Sequence, residues 1–229
     1  MGKPVCAIVG IGPKNGAAFA RAFSARGYAL ALLSRSTELS SDLAGELGDA
    51  RAYACDAGDP DTVTATFAEI ERDLGSVDVL IYNAGSGSWK TIEELEVEDF
   101  ERGWRVNALG AMVAAQQVIP AMKSKGAGSI VIVGATASLR GIPKTAGFAP
   151  AKAAQRILAQ SMAKHLAPQG IHVALLIIDG QIGDPDSAAT RDGSKLDPRD
   201  IAEAAYTLTT QPRSAWTFEL DLRPMQERW

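Results

Sequence analysis

Lys152 is the residue around which catalytic chemistry is most readily organised in this sequence. Phe148 stands four residues before it, in Phe148-Ala149-Pro150-Ala151-Lys152, and Asn107 is a second polar candidate earlier in the chain. A lysine ammonium binds hydroxyl groups as a cation, and apolar neighbours lower its pKa until it can also release a proton. Phenylalanine has no proton to give. The residue types therefore leave two roles open for Lys152, a cation that holds a polar group and a proton donor.

A glycine-rich loop follows the first apolar run of the chain. Its sequence is Gly10-Ile11-Gly12-Pro13-Lys14-Asn15-Gly16, and a helical pattern begins directly after it. Glycine lets the backbone turn sharply and approach a pyrophosphate, whose charge the N-terminus of the next helix stabilises. Lys14 either reaches a phosphate or crowds the loop, and the alternative for the whole loop is a plain strand–helix turn. The predicted dinucleotide contacts are Gly10, Gly12, Lys14, Asn15 and Gly16.

Apolar runs typical of β-strands alternate with helical patterns along the chain. The predicted strands are Val5–Val9, Tyr28–Leu33, Ala52–Cys55, Val77–Tyr82, Ser129–Val133, Ile171–Ile178 and Ala215–Leu222. The predicted helices are Ala17–Arg26, 36–47, one opening at Asp59-Pro60-Asp61, Val97–Lys125, Ala146–Leu166, and one capped by Asp197-Pro198-Arg199-Asp200. Because parallel strands need helical crossovers, this order predicts a three-layer, doubly wound α/β Rossmann fold with a single, mostly parallel sheet. We expect residues 1–229 to form one domain, with a short substrate loop near 181–197.

Short polar motifs follow the predicted strands, at the sheet edge where such folds bind ligands. Cys55-Asp56-Ala57 ends the third strand, Asn83-Ala84-Gly85 follows the fourth, and Arg105-Val106-Asn107-Ala108-Leu109-Gly110 lies in the long helix after it. Together with the glycine loop and Lys152, these motifs resemble the short-chain dehydrogenase/reductase family from about Val5 to Gly180. The resemblance implies a nicotinamide-dependent oxidoreductase that acts on a small carbonyl or alcohol substrate.

On the adenosine side, the resemblance implies that Asp56, with Ala57 beside it, contacts the adenine, although helix capping by Asp56 is an equal alternative. Asn83-Ala84-Gly85 would let the cofactor ribose approach. The second strand ends in Ser34-Arg35, and an acid at the Ser34 position would select NAD by binding the ribose hydroxyl. Arg35 instead offers a planar cation that suits a 2′-phosphate. The sequence therefore favours NADP(H) over NAD(H), and the alternative for Arg35 is a solvated surface charge.

On the nicotinamide side, the resemblance implies that Asn107 holds a water linking the lysine to solvent. It also implies that Lys152 binds the nicotinamide ribose, a role that we favour over proton donation. The segment after the sixth strand implies contacts from Gly180 and from the backbone of Ile182 to the carboxamide. Asp179 and Asp184 lie in the same segment, where they act either as acid–base groups or, as we favour, as turn formers.

Two positions depart from the family pattern. Phe148 stands where the family places its catalytic tyrosine, and Ala135, thirteen residues earlier, stands where the catalytic serine is expected. Thr136 and Ser138 lie nearby; either a register shift brings one hydroxyl inward, or, as we favour, both make ordinary loop hydrogen bonds. The proton must then come from water, the substrate or another residue such as Lys152. The primary interpretation is an oxidoreductase with a non-standard proton route, and the alternative is a catalytically impaired NADP(H)-binding sensor or partner subunit.

Composition limits the other possibilities. The formal net charge is −4 with acidic and basic residues interspersed, which gives no electrostatic footprint for nucleic acid. The apolar runs are too short to span a membrane, and the N-terminus lacks signal-peptide organisation. The two cysteines suit a reducing compartment, and the two histidines, His165 and His172, have surface or capping roles rather than metal-site spacing. We therefore expect a cytoplasmic, metal-free protein with a small-molecule substrate, which assembles as a homodimer or homotetramer through its two long, alanine-rich helices.

Overall fold

A single parallel sheet forms the centre of the molecule. The computed structural model describes residues 2–228. The strands are β1 (Val5–Val9), β2 (Ala29–Ser34), β3 (Ala50–Ala54), β4 (Val79–Tyr82), β5 (Gly128–Ala135), β6 (Ile171–Ile178) and β7 (Glu219–Leu222). They form a seven-stranded sheet in the order β3-β2-β1-β4-β5-β6-β7, and every pairing between them is parallel. The predicted Rossmann fold is confirmed.

Helices connect the strands and cover the sheet. They are α1 (Asn15–Ser24), α2 (Glu38–Leu47), α3 (Pro60–Leu74), α4 (Val97–Trp104), α5 (Gly110–Lys125), α6 (Phe148–Leu166), α7 (Ala188–Arg191) and α8 (Pro198–Thr209). The two acid-proline signals begin helices as the sequence predicts. Asp59 accepts a hydrogen bond from the Asp61 amide at α3, and Asp197 accepts one from the Arg199 amide at α8. None of the helices within residues 2–228 is both long and apolar enough to cross a membrane.

The alternation of side chains along each strand divides the core into two layers. On β1, Ala7 packs in one apolar cluster and Ile8 in the other. Phe19 of α1 joins the Ile8 cluster, whereas Phe67 of α3 and Met122 of α5 join the Ala7 cluster. Because both faces of the inner strands are covered, these strands read as nearly continuous apolar runs in the sequence.

A π-helical turn, Arg105–Leu109, joins α4 to α5 and interrupts the long helix predicted over Val97–Lys125. The buried Tyr82 hydroxyl donates to the Val106 carbonyl oxygen at 2.5 Å. Gly110 allows the close approach, since a Cβ there would collide with the Ala57 carbonyl oxygen and the Tyr82 hydroxyl. Such turns re-aim side chains within a helix, and here the turn carries Asn107.

His172 corrects one expectation. Its ring lies at the start of an inner strand, where it is buried, contacts the carbonyl oxygens of Leu208 and Thr217 at 3.0 and 2.8 Å, and stacks on Trp216. The expected surface role was wrong for His172, because other parts of the chain bury its ring, whereas its contact with the Leu208 carbonyl oxygen in the last turn of α8 fits the capping alternative. His165, in contrast, is exposed at the end of α6.

Candidate active site

The glycine loop lies against the turn that follows β4. Gly10 has φ +98°, and a Cβ on it would stand 2.5 Å from the Ala84 amide nitrogen and 2.9 Å from the Asn83 carbonyl carbon. A Cβ on Gly16 would stand 2.7 Å from the Ile11 Cα atom. The Asn83 carboxamide donates to the Gly10 carbonyl oxygen at 2.7 Å and ties the two turns together. Two of the predicted glycines are therefore required by the backbone geometry itself.

The remaining loop residues have different surroundings. A Cβ on Gly12 would meet no atom of the described chain within 4 Å, so this position does not require glycine. Asn15 is buried, and its side-chain oxygen has no hydrogen-bond partner within residues 2–228. The Lys14 ammonium donates to the Ile182 carbonyl oxygen at 2.7 Å and lies 3.4 Å from an Asp184 carboxylate oxygen. Lys14 therefore joins the loop to the segment after β6 rather than crowding it.

A cleft of about 260 Å³ opens where β1, β2, β3 and β4 end. Five short segments form its walls: the glycine loop, the ends of β2 and β3, the turn after β4 and the helix around the π turn. The lining residues are Val9, Gly10, Ile11, Ser34, Arg35, Cys55, Asp56, Ala57, Asn83, Ala84, Gly85, Ser86, Arg102 and Val106. The cleft brings together most of the residues predicted for the adenosine half of a dinucleotide.

Ser34 and Arg35 line this cleft at the end of β2. The Ser34 hydroxyl donates to the Ser36 carbonyl oxygen at 2.8 Å and lies 2.8 Å from the Ser40 hydroxyl. The Arg35 side chain is exposed. A hydroxyl cluster beside an exposed guanidinium can receive an anion, whereas a carboxylate at this place would repel it.

Asp56 and Arg102 line the same cleft, and they come from different parts of the chain. The Asp56 carboxylate accepts from the Gly58 amide at 2.9 Å and forms a tight turn, while Asp59 caps α3. The capping alternative for Asp56 is therefore replaced by a turn that leaves the residue lining the cleft. Sequence reasoning missed Arg102, because an exposed arginine on a helix carries no signal of ligand binding. Only the structure shows that α4 brings Arg102 to the cleft.

Lys152 is buried on α6 beside the end of β5. Its ammonium donates to the Val133 carbonyl oxygen at 3.0 Å and to the side-chain oxygen of Gln155 at 2.9 Å. Burial lowers the pKa of Lys152 from 10.5 to about 7. A lysine in this state can hold or release a proton near neutral pH. Gln155 is a second residue that sequence reasoning missed.

Asn107 approaches the lysine from the π turn. Its amide nitrogen donates to the carbonyl oxygens of Ser86 and Gly103 at 2.6 and 2.8 Å, which fixes the carboxamide orientation. Its buried oxygen has no hydrogen-bond partner in the part of the chain that the structure describes. A Cβ on Gly85 would lie 3.5 Å from this oxygen and 3.8 Å from the Lys152 nitrogen. The open glycine face, the orphaned oxygen and the lysine fit the polar ribose of a nicotinamide cofactor.

Phe148 begins α6 and covers the other side of the lysine. Its ring centroid lies 5.3 Å from that of Trp89 and 6.0 Å from the Lys152 nitrogen. The ring also presses on Gly87, where a Cβ would stand 2.9 Å from it. Ala135 ends β5 with a methyl side chain. Neither position presents a hydroxyl group near the lysine.

The two nearby hydroxyls have different surroundings. Thr136 lies 3.4 Å from the Ile178 carbonyl oxygen, a long contact. The Ser138 hydroxyl is buried in the turn after β5 without a hydrogen-bond partner among the described residues. The long contact of Thr136 is a weak form of the predicted loop hydrogen bond. Ser138 makes no such bond among the described residues.

The segment after β6 is held by the C-terminal residues. Gly180 has φ +131°, and a Cβ on it would stand 2.8 Å from the Pro224 ring. The Asp179 carboxylate lies 3.2 Å from the Arg223 guanidinium, which makes it a structural ion pair rather than a turn former. The Gln226 side chain donates to the Asp192 carbonyl oxygen at 2.8 Å. The segment 181–197 thus lies between the glycine loop and the tail of the chain.

The fold and this site define a nucleotide-binding α/β oxidoreductase. A family profile described as short chain dehydrogenase matches residues 5–181. The chain belongs to this family. No group of three or more histidine, cysteine or acidic side chains within residues 2–228 is arranged to hold a metal ion.

Individual relatives agree with this placement. The chain is 33% identical over 170 residues to a 3-oxoacyl-[acyl-carrier-protein] reductase of Bos taurus, covering 74% of this chain and 72% of that protein. A short-chain dehydrogenase from Rhodopseudomonas palustris superposes with a TM-score of 0.85 at 34% identity, covering 96% and 98% of the two chains. An alcohol dehydrogenase from Thermococcus sibiricus, solved with 5-hydroxy-NADP, superposes with a TM-score of 0.88 at 29% identity, covering 99% and 98%.

Proposed function

We propose that this protein is an NADP(H)-dependent oxidoreductase that interconverts a small carbonyl compound and its alcohol. The observation that carries the proposal is the cleft at the strand ends, which is lined by Arg35 and by Gly85, and Gly85 lies next to the side chains of Asn107 and Lys152. A bound nicotinamide would supply or accept the hydride. The single domain spans residues 1–229, and the segment 181–197 covers the substrate.

The preference for NADP(H) over NAD(H) rests on charge. Arg35 and Arg102 both line the cleft, and the β2 end carries Ser34 where a carboxylate would bind an unphosphorylated ribose. A guanidinium binds phosphate through two parallel hydrogen bonds. The Thermococcus sibiricus relative was solved with a derivative of NADP, which supports the same cofactor class here.

The remaining contacts follow the cofactor from its phosphates to its nicotinamide. Gly10 and Gly16 bring backbone close to the pyrophosphate, and the unpartnered side-chain oxygen of Asn15 would accept a hydrogen bond from a cofactor hydroxyl group. Gly180 and Ile182 would receive the carboxamide. Since the Ile182 carbonyl oxygen accepts from Lys14 in this structure, that contact requires the backbone amide of Ile182 or a movement of the lysine.

The proton route is non-standard in this proposal. Phe148 and Ala135 stand at the usual tyrosine and serine positions, so the general acid that normally contributes about 10²–10⁴-fold to the rate is missing. Asn107 and Lys152 keep the polar end of the site, and a proton must reach the substrate oxygen through them or through water.

Calorimetric titration with NADPH and with NADH tests the cofactor half of the proposal. Arg35→Ala should weaken NADPH binding about tenfold and leave NADH binding unchanged, because only NADPH carries the 2′-phosphate. Arg72→Ala is the matched control, since Arg72 is an exposed arginine on α3 that pairs with Asp73 away from the cleft. Equal loss for both coenzymes, or none, would contradict the assignment of Arg35.

The absorbance of reduced nicotinamide then measures turnover on a panel of ketones, aldehydes and 3-oxoacyl thioesters, the last because of the Bos taurus relative. Oxidation of NADPH by a member of the panel supports the proposal. Tight binding of NADPH with no turnover over the whole panel would indicate the impaired sensor or partner subunit instead. Failure to bind either coenzyme would reject both.

We also propose a cytoplasmic homodimer or homotetramer. Phe100 and Trp104 on α4 and Ile157 on α6 are exposed apolar side chains on the helices expected to meet a second copy. Light scattering after size-exclusion chromatography gives the mass in solution, and a monomer at micromolar concentration would reject the assembly.

A further inference from the structure

We propose that Gln155 is a positioning residue that makes Lys152 the acid–base group of this enzyme. Its side-chain oxygen and the Val133 carbonyl oxygen hold two N–H groups of the lysine, and the remaining position on the nitrogen exchanges the proton with the substrate. The inference rests on the oxidoreductase function proposed above. It assigns Lys152 proton transfer to and from the substrate, a role that a ribose-binding cation does not have.

The geometry leaves one position on the lysine nitrogen for exchange. Lys152 and Gln155 are three residues apart on α6, a spacing that puts both side chains on one face of the helix. The nitrogen lies 2.9 Å from the Gln155 oxygen and 3.0 Å from the Val133 oxygen. Because the nitrogen is tetrahedral, two of its three outer positions are occupied by these bonds. The third is left for the side where Gly85 and the orphaned oxygen of Asn107 lie.

A purely structural explanation of Gln155 is unsatisfactory. The residue is 1% exposed, and its amide nitrogen has no hydrogen-bond partner within residues 2–228. A buried amide with an unmet donor costs free energy that an apolar side chain of the same size would avoid. The bond that the residue does make goes to the lysine, and that bond explains its presence.

Charged groups do not compete with Gln155 for control of the lysine. The groups packed around the nitrogen come from β5, the turn after β4, the π turn and α6: the Val133 carbonyl, Gly85, Asn107, the Phe148 ring and Gln155. None of these is a titratable group. Burial alone lowers the lysine pKa, without a contribution from a charged residue of the described chain.

The proton balance is simple. In the reduction direction a bound reduced nicotinamide would supply the hydride to the substrate carbon, and the substrate oxygen receives a proton from the third position of the Lys152 ammonium. An N–H bond breaks, an O–H bond forms, and the lysine is left as a neutral amine. In that state two N–H groups still donate to Gln155 and Val133, the lone pair occupies the third position, and water returns the proton. In the oxidation direction the amine takes the proton from the alcohol.

Two substitutions of Gln155 with opposite effects test the inference. Gln155→Met keeps the volume and removes the acceptor, which should lower the Lys152 pKa by about one unit. Gln155→Glu puts a carboxylate beside the ammonium, which should raise it. Gln117→Met is the matched control, because among the described residues the Gln117 amide donates to the Val113 carbonyl oxygen of its own helix and not to Lys152. Circular dichroism confirms that each variant folds. If Gln155→Glu does not fold, the titration of Gln155→Met alone tests the inference.

Two readouts are needed, one of them without cofactor or substrate. The first is the titration of the ¹³Cε resonance of Lys152 in the protein labelled with ¹³C-lysine, assigned by its loss in Lys152→Met. The second is the pH profile of kcat/KM for reduction, which should fall as pH rises through the Lys152 pKa. Both midpoints should move down in Gln155→Met, move up in Gln155→Glu and stay in place in Gln117→Met, while KM for NADPH changes less than twofold, about the error of such comparisons.

An unmoved Lys152 titration in a folded Gln155 variant would overturn the pairing. A titration that moves while the reduction profile keeps its midpoint would remove Lys152 from the proton route. Absence of turnover in every variant and in the parent would overturn the proposed function and the catalytic part of this inference together, whereas the resonance titration would still decide the pairing.

Discussion

Lys14 and Ile182 join the glycine loop to the segment that follows β6: the Lys14 ammonium donates to the Ile182 carbonyl oxygen at 2.7 Å. The carboxylate of Asp184 lies 3.4 Å from the same ammonium. One lysine of the glycine loop therefore holds the beginning of the segment 181–197. In the proposed cofactor complex, a phosphate would compete with this carbonyl oxygen for the Lys14 ammonium, because phosphate is the stronger partner.

Lys14→Met should loosen the segment 181–197. The substitution removes the donor to Ile182, and amide hydrogens of 181–197 should exchange faster, as measured by hydrogen–deuterium exchange and mass spectrometry. Lys90→Met serves as the control, because Lys90 is a similarly exposed lysine that pairs with Asp99 elsewhere. Unchanged exchange in Lys14→Met would show that other contacts hold the segment.

Gly10→Ala should reduce stability and NADPH binding strongly, whereas Gly12→Ala should change the stability little. The Gly10 backbone has φ +98° and lies against Ala84, so an added methyl group strains the backbone and forces the two turns apart. We expect a loss of about 1–3 kcal/mol in the free energy of unfolding and loss of NADPH binding. Alanine at position 12 meets open space and should change stability by less than about 1 kcal/mol. Urea denaturation and calorimetry measure both; equal effects would contradict the described loop.

Lys152 should make stability rise with pH in a defined window. Its folded pKa of about 7 lies below the ordinary value of 10.5, so between these values the unfolded chain keeps a proton that the folded chain has released. The free energy of unfolding should therefore increase by up to about 1.4 kcal/mol per pH unit above pH 7. Below pH 7 both states hold the proton, and the full cost of burying the charge is present.

The difference between the parent and Lys152→Met isolates this group. Urea denaturation from pH 7 to 9 is the measurement. Higher pH is avoided because burial raises the pKa values of Cys6 and Cys55 above the ordinary 9.0, so that their titration would also change the stability there. Lys152→Met should be the more stable protein at pH 7, and its advantage should shrink toward pH 9. A difference that does not vary with pH would mean that the lysine remains charged throughout.

Phe148→Tyr should increase reductase activity. A hydroxyl added to this ring returns a proton donor near Lys152, and we expect a gain of about tenfold, below the 10²–10⁴ of a fully positioned acid because Ala135 still lacks a hydroxyl. Phe100→Tyr adds the same hydroxyl to an exposed ring on α4 and is the control. Assays run with NADPH on any active substrate of the panel. No gain would indicate that the surroundings of Lys152 are built for other chemistry.

Much of the fold could be predicted because its signals are local. Runs such as Val5–Val9 and Ile171–Ile178 are apolar on both faces of the strand, and Asp59-Pro60 and Asp197-Pro198 carry their helix-starting chemistry within a few residues. Gly10 is in the same category, since a strand followed by glycines and a helix already implies a tight turn. The matching of residues 5–181 to the family confirms this part of the interpretation.

Contacts between distant segments could not be predicted in this way. Lys14 meets Ile182 because β1 and β6 end at the same edge of the sheet. The residues next to Lys14 in the sequence do not indicate this contact. The burial of His172 could not be predicted, because it depends on Leu208 and Thr217, which come from distant parts of the chain.

The sequence alone determined the order of strands and helices, the family and the side chains available for chemistry, since these follow from patterns read over neighbouring residues. Only the tertiary structure decided that Gln155 faces Lys152, that the Asn107 oxygen is left without a partner and that Asp179 is paired with Arg223. The physical reason is that burial and hydrogen-bond partnership depend on which distant segments the sheet brings together, and those determine the protonation and orientation of each candidate group.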